Sequence, residues 1–260
     1  MSIESVLHKR NILITNGSST LSRELCEQLI EIYKCRVALV STFKDINVPN
    51  PLHFHCDVTD RHQVRELASK LKNSVGTVEL VIHQERGDGV GTTTEQAERF
   101  VNQTSNDVLG YVNLLTCFVP DMLRQGSGRI ISIKNTQNNV QTATACQPDY
   151  DDLVESIFRS QENLIPNNAA RGPESIRFST IFYQNHNRHQ QAKISANLSL
   201  TESEIAQRIL KGIESEKTNV RIDTRRNLFE FCSTNIVQLA SFGLGKLQLR
   251  KSQKIPIKVQ

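Results

Sequence analysis

Short β-branched and aliphatic runs alternate with longer segments in which apolar residues return every three or four positions, along almost the whole chain. Runs of the first kind fall at 11–15, 36–41, 52–56, 78–83, 129–134, 176–182 and 219–222, and they read as strands buried on both faces. Segments of the second kind, at 21–33, 61–71, 95–103, 107–124, 153–164 and 202–215, carry the helical period with polar residues between. Strands and helices in alternation make parallel strands joined by right-handed crossovers. The pattern therefore predicts an α/β fold: a doubly wound parallel sheet of about seven strands, Rossmann-type, in a single domain spanning 1–260. Between Arg225 and Leu249 a further apolar pattern predicts a last helix, its apolar face joining the core or a dimer seam.

Two polar stretches interrupt the rhythm. One, at 137–147, is rich in Asn, Gln and Thr; the other, at 184–199, carries His186 and His189. Both follow strands and so belong to the carboxyl edge of the sheet, where open α/β sheets bind ligands. Composition adds little to this but excludes several classes. A chain of 260 residues with 38% hydrophobic content can bury a core without disulfide staples. The six cysteines show no C-x-x-C pairing, which points to free thiols and a reducing, cytoplasmic setting. MSIESVLHKR has no apolar run and nowhere do 18 apolar residues follow one another, so neither a signal peptide nor a spanning membrane segment is expected.

A net charge of +4 is too small to imply nucleic-acid binding, and part of it lies in a basic C-terminal tail, 243–260, at Lys246, Arg250, Lys251, Lys254 and Lys258. The Asn16, Asn102 and Asn197 sequons, with no secretory leader before them, read as chance matches. His53 and His55 alternate onto one strand face but lack the third and fourth convergent ligands that zinc requires, so no metal is expected.

One stretch carries more specific information. Residues 104–134, TSNDVLGYVNLLTCFVPDMLRQGSGRIISIK, resemble the helix and following strand that carry catalytic residues in short-chain dehydrogenases. NILITNGSSTLSRELCEQL is similar to that family's first strand, turn and helix, HFHCDVTD to its third strand, and SLTESEIAQRILKGIES to a late helix of the 17-beta-hydroxysteroid and retinol dehydrogenase branch. The resemblance implies an NAD(P)-linked alcohol or carbonyl oxidoreductase, usually dimeric or tetrameric.

The residues that carry the family's chemistry depart from its pattern. Of Thr-Gly-x-x-x-Gly-x-Gly only Thr15 is kept, with Asn16, Thr20 and Ser22 at the glycine places. Glycines there allow a tight turn and close approach to a pyrophosphate; Asn16 tolerates a left-handed backbone, and Ser18 or Ser19 offer hydroxyls at a helix N-terminus. The second strand ends without an acid for a ribose 2′-hydroxyl, while Lys44 suits a 2′-phosphate, so a bound dinucleotide would be NADP. Asp57 and Val58 match positions that contact adenine, although Asp57 reads equally as a helix N-cap. Where the family has Asn-Asn-Ala-Gly, this chain has His83-Gln84-Glu85-Arg86, and the family's Pro-Gly after the sixth strand is Tyr183-Gln184.

In the family a Tyr acts as general acid or base, a Lys four residues on lowers its pKa, and a Ser and an Asn complete the set. Here Tyr150 is present, but Val154, Asn135 and Asp107 stand at the Lys, Ser and Asn places. A phenol titrates near pH ~10, and without the cation nothing draws it toward neutrality. Thr136 and Lys134 are the nearest substitutes, though strand alternation leaves the direction of Lys134 open.

The leading expectation is thus a catalytically inactive or severely impaired pseudoenzyme, a binding or scaffold subunit with no cofactor or a weak NADP(H) site. Its partner would be a second copy, or an active relative in a heterodimer. The alternative is an NADP(H)-dependent oxidoreductase acting on a lipophilic alcohol or ketone, steroid- or retinoid-like, with Tyr150 as the surviving acid. A third reading is a redox-silent sensor of a small molecule.

Overall fold

In the computed structural model, residues 6–43, 52–85, 94–135, 176–183 and 200–222 are described. They form seven strands, β1 (Asn11–Ile14), β2 (Arg36–Ser41), β3 (Leu52–His55), β4 (Leu80–Gln84), β5 (Gly128–Asn135), β6 (Ile176–Tyr183) and β7 (Asn219–Ile222). Four helices accompany them: α1 (Thr20–Glu31), α2 (Arg61–Ser74), α3 (Thr94–Gln125) and α4 (Glu202–Glu214). Every strand pairing is parallel, and the order is β3-β2-β1-β4-β5-β6-β7. The order reverses between β1 and β4, which makes that crevice the topological switch point of the sheet. The described elements lie in one compact unit, 1–188 with 200–224. The 153–164 helix, the last helix, both polar stretches and the basic tail predicted from the sequence lie outside the described residues.

Strand alternation builds two cores from one sheet. Ile12 and Ile14 of β1, with Leu39, Ile82, Ile131 and Ile181 of its neighbours, face α1 and α4. Leu13, with Ala38, Val40, Val81 and Ile130, faces α2 and α3. The helices answer with three- and four-residue stripes, Leu21, Leu25 and Leu29 on α1 and Ile205, Ile209 and Ile213 on α4.

Local chemistry sets the helix starts. Ser19 caps α1 by accepting from the Ser22 N–H, Asp60 caps α2, and Thr201 with Glu204 closes a capping box on α4. Asp57, read as a cap from the sequence, instead turns the chain one step earlier, its Oδ1 accepting from the Thr59 N–H and hydroxyl at 2.9 and 2.8 Å.

The sequence divides 95–124 into two helices at Thr104, Ser105 and Asn106, but α3 is continuous through them. Ser105 and Asn106 are exposed and Asp107 is buried, so the polar run is the solvent face of a single amphipathic helix rather than a break. Gly110 lets α3 approach the loop after β3: a Cβ there would stand 2.8 Å from Val58 Cγ2.

Candidate functional site

The β1–α1 turn is the first component. Asn16 adopts a left-handed backbone, φ 54°, in the place where the family carries glycine. Gly17 N–H donates to the Val40 carbonyl at 2.8 Å, and a Cβ on Gly17 would lie 2.6 Å from Leu39 Cγ, so the turn is seated directly on β2. Thr20 is exposed at the first position of α1.

Side chains at the ends of β4 and β6 stitch this turn to the sheet. The Gln84 amide bonds the hydroxyls of Ser19, at 2.8 Å, and Ser22, while Ser22 Oγ also lies 3.0 Å from the Thr15 carbonyl. Ser22 has one hydroxyl proton, and the Thr15 carbonyl can only accept. The Ser22 proton is therefore shared between that carbonyl and Gln84 Oε1, which also accepts from the Ser19 hydroxyl, leaving Gln84 Nε2 to face Tyr183. The Tyr183 phenol bonds Gln84 from the far side, and burial, followed by the charge of Glu202, pushes its pKa up. Tyr183 therefore stays protonated at neutral pH and does not substitute for an activated phenol. Thr15 Oγ1 accepts from the Gln84 N–H at 3.2 Å and lies 2.9 Å from Nδ1 of the buried His83, whose ring stands 5.7 Å from that of Tyr111.

A cleft of about 510 Å³ opens beside the turn, on the β2 side of the switch point. Thr15, Asn16, Ser18 and Ser19 form its floor, Ser41, Thr42 and Phe43 its outer wall. Cys56, Val58 and Thr59 close it from beyond β3, and Gln84 with Asn106 and Asp107 mark its other end. Burial pushes the Cys56 thiol up to about 12, so it serves as an apolar wall and not as a nucleophile.

The other half of the carboxyl edge, over β4 and β5, holds a buried ion pair. Glu85 continues the ladder past β4, its N–H donating to the Ile133 carbonyl at 3.1 Å, which sets it beside Lys134. Lys134 Nζ lies 3.7 Å from Glu85 Oε1, with the two side chains 9% and 14% exposed, and the Ser132 hydroxyl donates to the same oxygen at 3.2 Å. Asp107, held by Gln103 Nε2 at 3.1 Å, adds a second carboxylate nearby. Burial first, opposed by Lys134 and reinforced by Asp107, raises the Glu85 pKa from 4.5 to about 7.

Among the residues singled out from the sequence, Thr15, Asn16, Ser18, Ser19, Val58 and Asp107 converge on this cleft. Asp57 is adjacent, its Oδ1 committed to Thr59. Asn135 ends β5, opposite Tyr183 in the β5–β6 register. Lys44, Tyr150 and Val154 lie outside the described residues. Sequence reading noticed Glu85 as bulk and left Lys134 without a direction; the signal that joins them is opposite charge one step beyond the β4–β5 register, in which Gln84 pairs Ile133. His53 Nε2 lies 3.1 Å from Ser41 Oγ, and the described residues hold no cluster of three metal-ligating side chains.

A seven-stranded parallel sheet with its cleft at the switch point defines a Rossmann-like protein. The family model for short chain dehydrogenases matches residues 10–147, and the chain belongs to that family. An uncharacterised oxidoreductase of Saccharomyces cerevisiae is 26% identical over 145 residues, 54% of this chain and 47% of the yeast protein, so the match spans about half the length of that relative. Among solved structures, the ligand-free aldohexose dehydrogenase of Thermoplasma acidophilum superposes with a TM-score of 0.60 at 14% identity, over 85% of this chain and 95% of that one. A short chain dehydrogenase of Burkholderia cenocepacia in complex with NADP gives 0.59 at 16%, over 90% and 94%. Within the described residues, no helix is long and apolar enough to cross a membrane.

Proposed function

We propose that this chain keeps the short-chain dehydrogenase fold without its turnover and works as a binding or scaffold subunit, as a homodimer or paired with an active relative. The observation that carries the reading is the buried Glu85–Lys134 pair at the carboxyl edge over β4 and β5. A dinucleotide lies across the switch point with its adenosine toward β2, so its nicotinamide end belongs over β4 and β5. That half offers a desolvated ion pair, satisfied internally by Ser132, where the family has small residues. The residues present thus fit the adenosine half of an NADP(H) molecule and not its nicotinamide half, and no reaction step is derived through it.

The loss of catalytic side chains supports the same conclusion. Hydride transfer to a carbonyl needs a proton donor matched to neutral pH, and general acid assistance is worth roughly 10²–10⁴-fold. Val154, Asn135 and Asp107 remove the groups that tune and orient Tyr150 in the family pattern. Kinship with the 17-beta-hydroxysteroid and retinol dehydrogenase branch rests on motif resemblance, and would make a lipophilic alcohol or ketone the ancestral substrate.

The test is titration of the purified chain with NADPH and NADH, following nucleotide fluorescence and melting temperature, together with an assay against steroid, retinoid and aliphatic carbonyls. The reading expects no turnover, and less than a 2 °C rise in Tm at ~100 µM nucleotide, since a ligand bound only by the native state must raise stability. Turnover that disappears in Tyr150→Phe overturns it in favour of the NADP(H)-dependent oxidoreductase.

A further inference from the structure

We infer that the opposite, amino edge of the sheet carries a second ligand site, one that takes a small organic monocarboxylate with a short apolar body. It is independent of the cofactor cleft and of the function proposed above. A pocket of about 280 Å³ opens at the amino ends of β4, β5 and β6. That is close to the lower bound of roughly 300 Å³ for small-molecule sites, and so suits a ligand much smaller than a dinucleotide. Val6, Leu7 and Leu80 give the pocket an apolar wall, with Val6 partly open to solvent. Its charge comes largely from one row of the sheet. Leu80, Arg129 and Arg177 are register partners across β4, β5 and β6, so their side chains leave on the same face, the one covered by α1 and α4.

The pocket is lined by three arginines, two of which are already neutralised. Arg10 pairs with Glu79, whose other oxygen accepts from the Asn11 N–H at 3.1 Å, and Arg177 pairs with Glu216. Glu216 holds its carboxylate there from a left-handed backbone position, φ 57°, where a helix end ordinarily carries glycine. Arg129 is the exception. Only 7% exposed, it donates from Nη1 to the Ile213 carbonyl at 2.5 Å and from Nη2 to Ser179 Oγ at 3.1 Å, while its buried Nε has no partner. Both acceptors are neutral, and the carboxyl end of α4 at Ile213 offsets roughly half a charge. Among the described residues no carboxylate forms an ion pair with Arg129. Burial draws its pKa below the usual arginine value; Glu216 opposes that shift and Arg177 adds to it. A guanidinium stays ionised all the same. A desolvated cation without a counter-ion is costly, and an anion in the pocket that Arg129 lines would supply one. With three arginines against two glutamates the lining calls for one negative charge, and the exposed Ser127 offers a hydroxyl to it. A phosphate dianion exceeds that charge and gains nothing from the apolar wall, whereas a carboxylate on a short alkyl body matches both.

The experiment is calorimetric titration of the full chain with sodium hexanoate, sodium butyrate, 1-hexanol and inorganic phosphate, repeated with NADPH present. Hexanoate should bind at least tenfold more tightly than hexanol, which lacks the charge, and than phosphate, which lacks the apolar body. It should exceed butyrate by roughly tenfold, the worth of two buried methylenes. Arg129→Met should abolish the hexanoate heat, but it also removes two internal hydrogen bonds. The decisive variant is therefore Glu216→Gln, which takes a negative charge from a partly exposed part of the lining. It should tighten hexanoate about three- to tenfold, a gain that a damaged fold does not produce. No heat with hexanoate up to ~10 mM overturns the site, as does hexanol binding equally well. Hexanoate affinity unmoved by Glu216→Gln overturns it too, and preference for phosphate overturns the carboxylate assignment. NADPH should leave hexanoate affinity unchanged, because the two sites lie at opposite ends of the strands; competition between them would overturn the location. Turnover of a carbonyl with NADPH would remove the scaffold reading while leaving the hexanoate result standing.

Discussion

Glu85 and Lys134 are the residues whose placement says most about this molecule. A buried pair of this kind is weak evidence for stability, because desolvating two charges offsets most of their attraction. The raised pKa of Glu85 expresses that balance: burial outweighs Lys134, and Asp107 of α3 adds repulsion. The folded state holds the Glu85 proton more tightly than the unfolded chain, whose carboxyl titrates near 4.5. Stability from this group is then full below about pH 4.5 and falls as the pH rises to about 7. Glu85→Gln, which resembles the protonated acid, should match the unaltered chain near pH 4.5. At pH 8 it should be the more stable of the two, by on the order of 3 kcal/mol at most, given ~1.4 kcal/mol per pH unit. Urea midpoints measured at intervals across that range check this, and parallel curves for the two proteins would refute it.

At the scale of elements, the β1–α1 turn shows how a signature can be rewritten without losing the shape it encodes. Asn16 supplies the left-handed backbone, Ser19 the cap, and Ser22 with Gln84 the side-chain bonds that hold α1 to the sheet. Within the turn, the close approach that demands glycine is at Gly17, packed on Leu39 and Val40. Gly17→Ala should cost about 1–3 kcal/mol, the usual range for overpacking, read as a lowered denaturation midpoint with an unchanged m-value. A loss under 0.5 kcal/mol would mean that the turn is not seated on β2. Strand β2 was legible to the residue because a buried parallel strand reads as an uninterrupted aliphatic run, and the edge strand β7, NVRI, because exposed Asn219 and Arg221 alternate with half-buried Val220 and Ile222. The α3 helix was not, because a run of polar residues, with Ser105 and Asn106 in its exposed face, imitates a linker, and only the burial of Asp107 beside them reveals the period. The candidate cleft was half legible: resemblance located Thr15, Ser18, Ser19 and Val58, whereas the Glu85–Lys134 and Gln84–Tyr183 contacts depend on strand register and side-chain direction.

For the whole molecule, the two halves of the carboxyl edge hold different things on one sheet: an open cleft on the β2 side and the buried Glu85–Lys134 pair over β4 and β5. Both hydrophobic cores depend on strand alternation and helix stripes, none of which involves the cofactor turn or the ion pair. The fold therefore does not depend on the catalytic residues, and family membership does not by itself carry activity with it. On the proposed reading, activity should require changes in three places at once. Val154→Lys with Asn135→Ser returns the tuning cation and the positioning hydroxyl of the family pattern, yet leaves the Glu85–Lys134 pair in place over β4 and β5. That pair alone should raise NADPH-dependent carbonyl reduction by less than tenfold over background. Adding Glu85→Ala and Lys134→Ser clears the β4–β5 half, and Asn16→Gly, Thr20→Gly and Ser22→Gly reopen the approach to the pyrophosphate. The combined variant should gain the roughly 10²–10⁴-fold that general acid assistance supplies, followed as NADPH oxidation. If the first two substitutions suffice by themselves, the ion pair is no barrier to a nicotinamide.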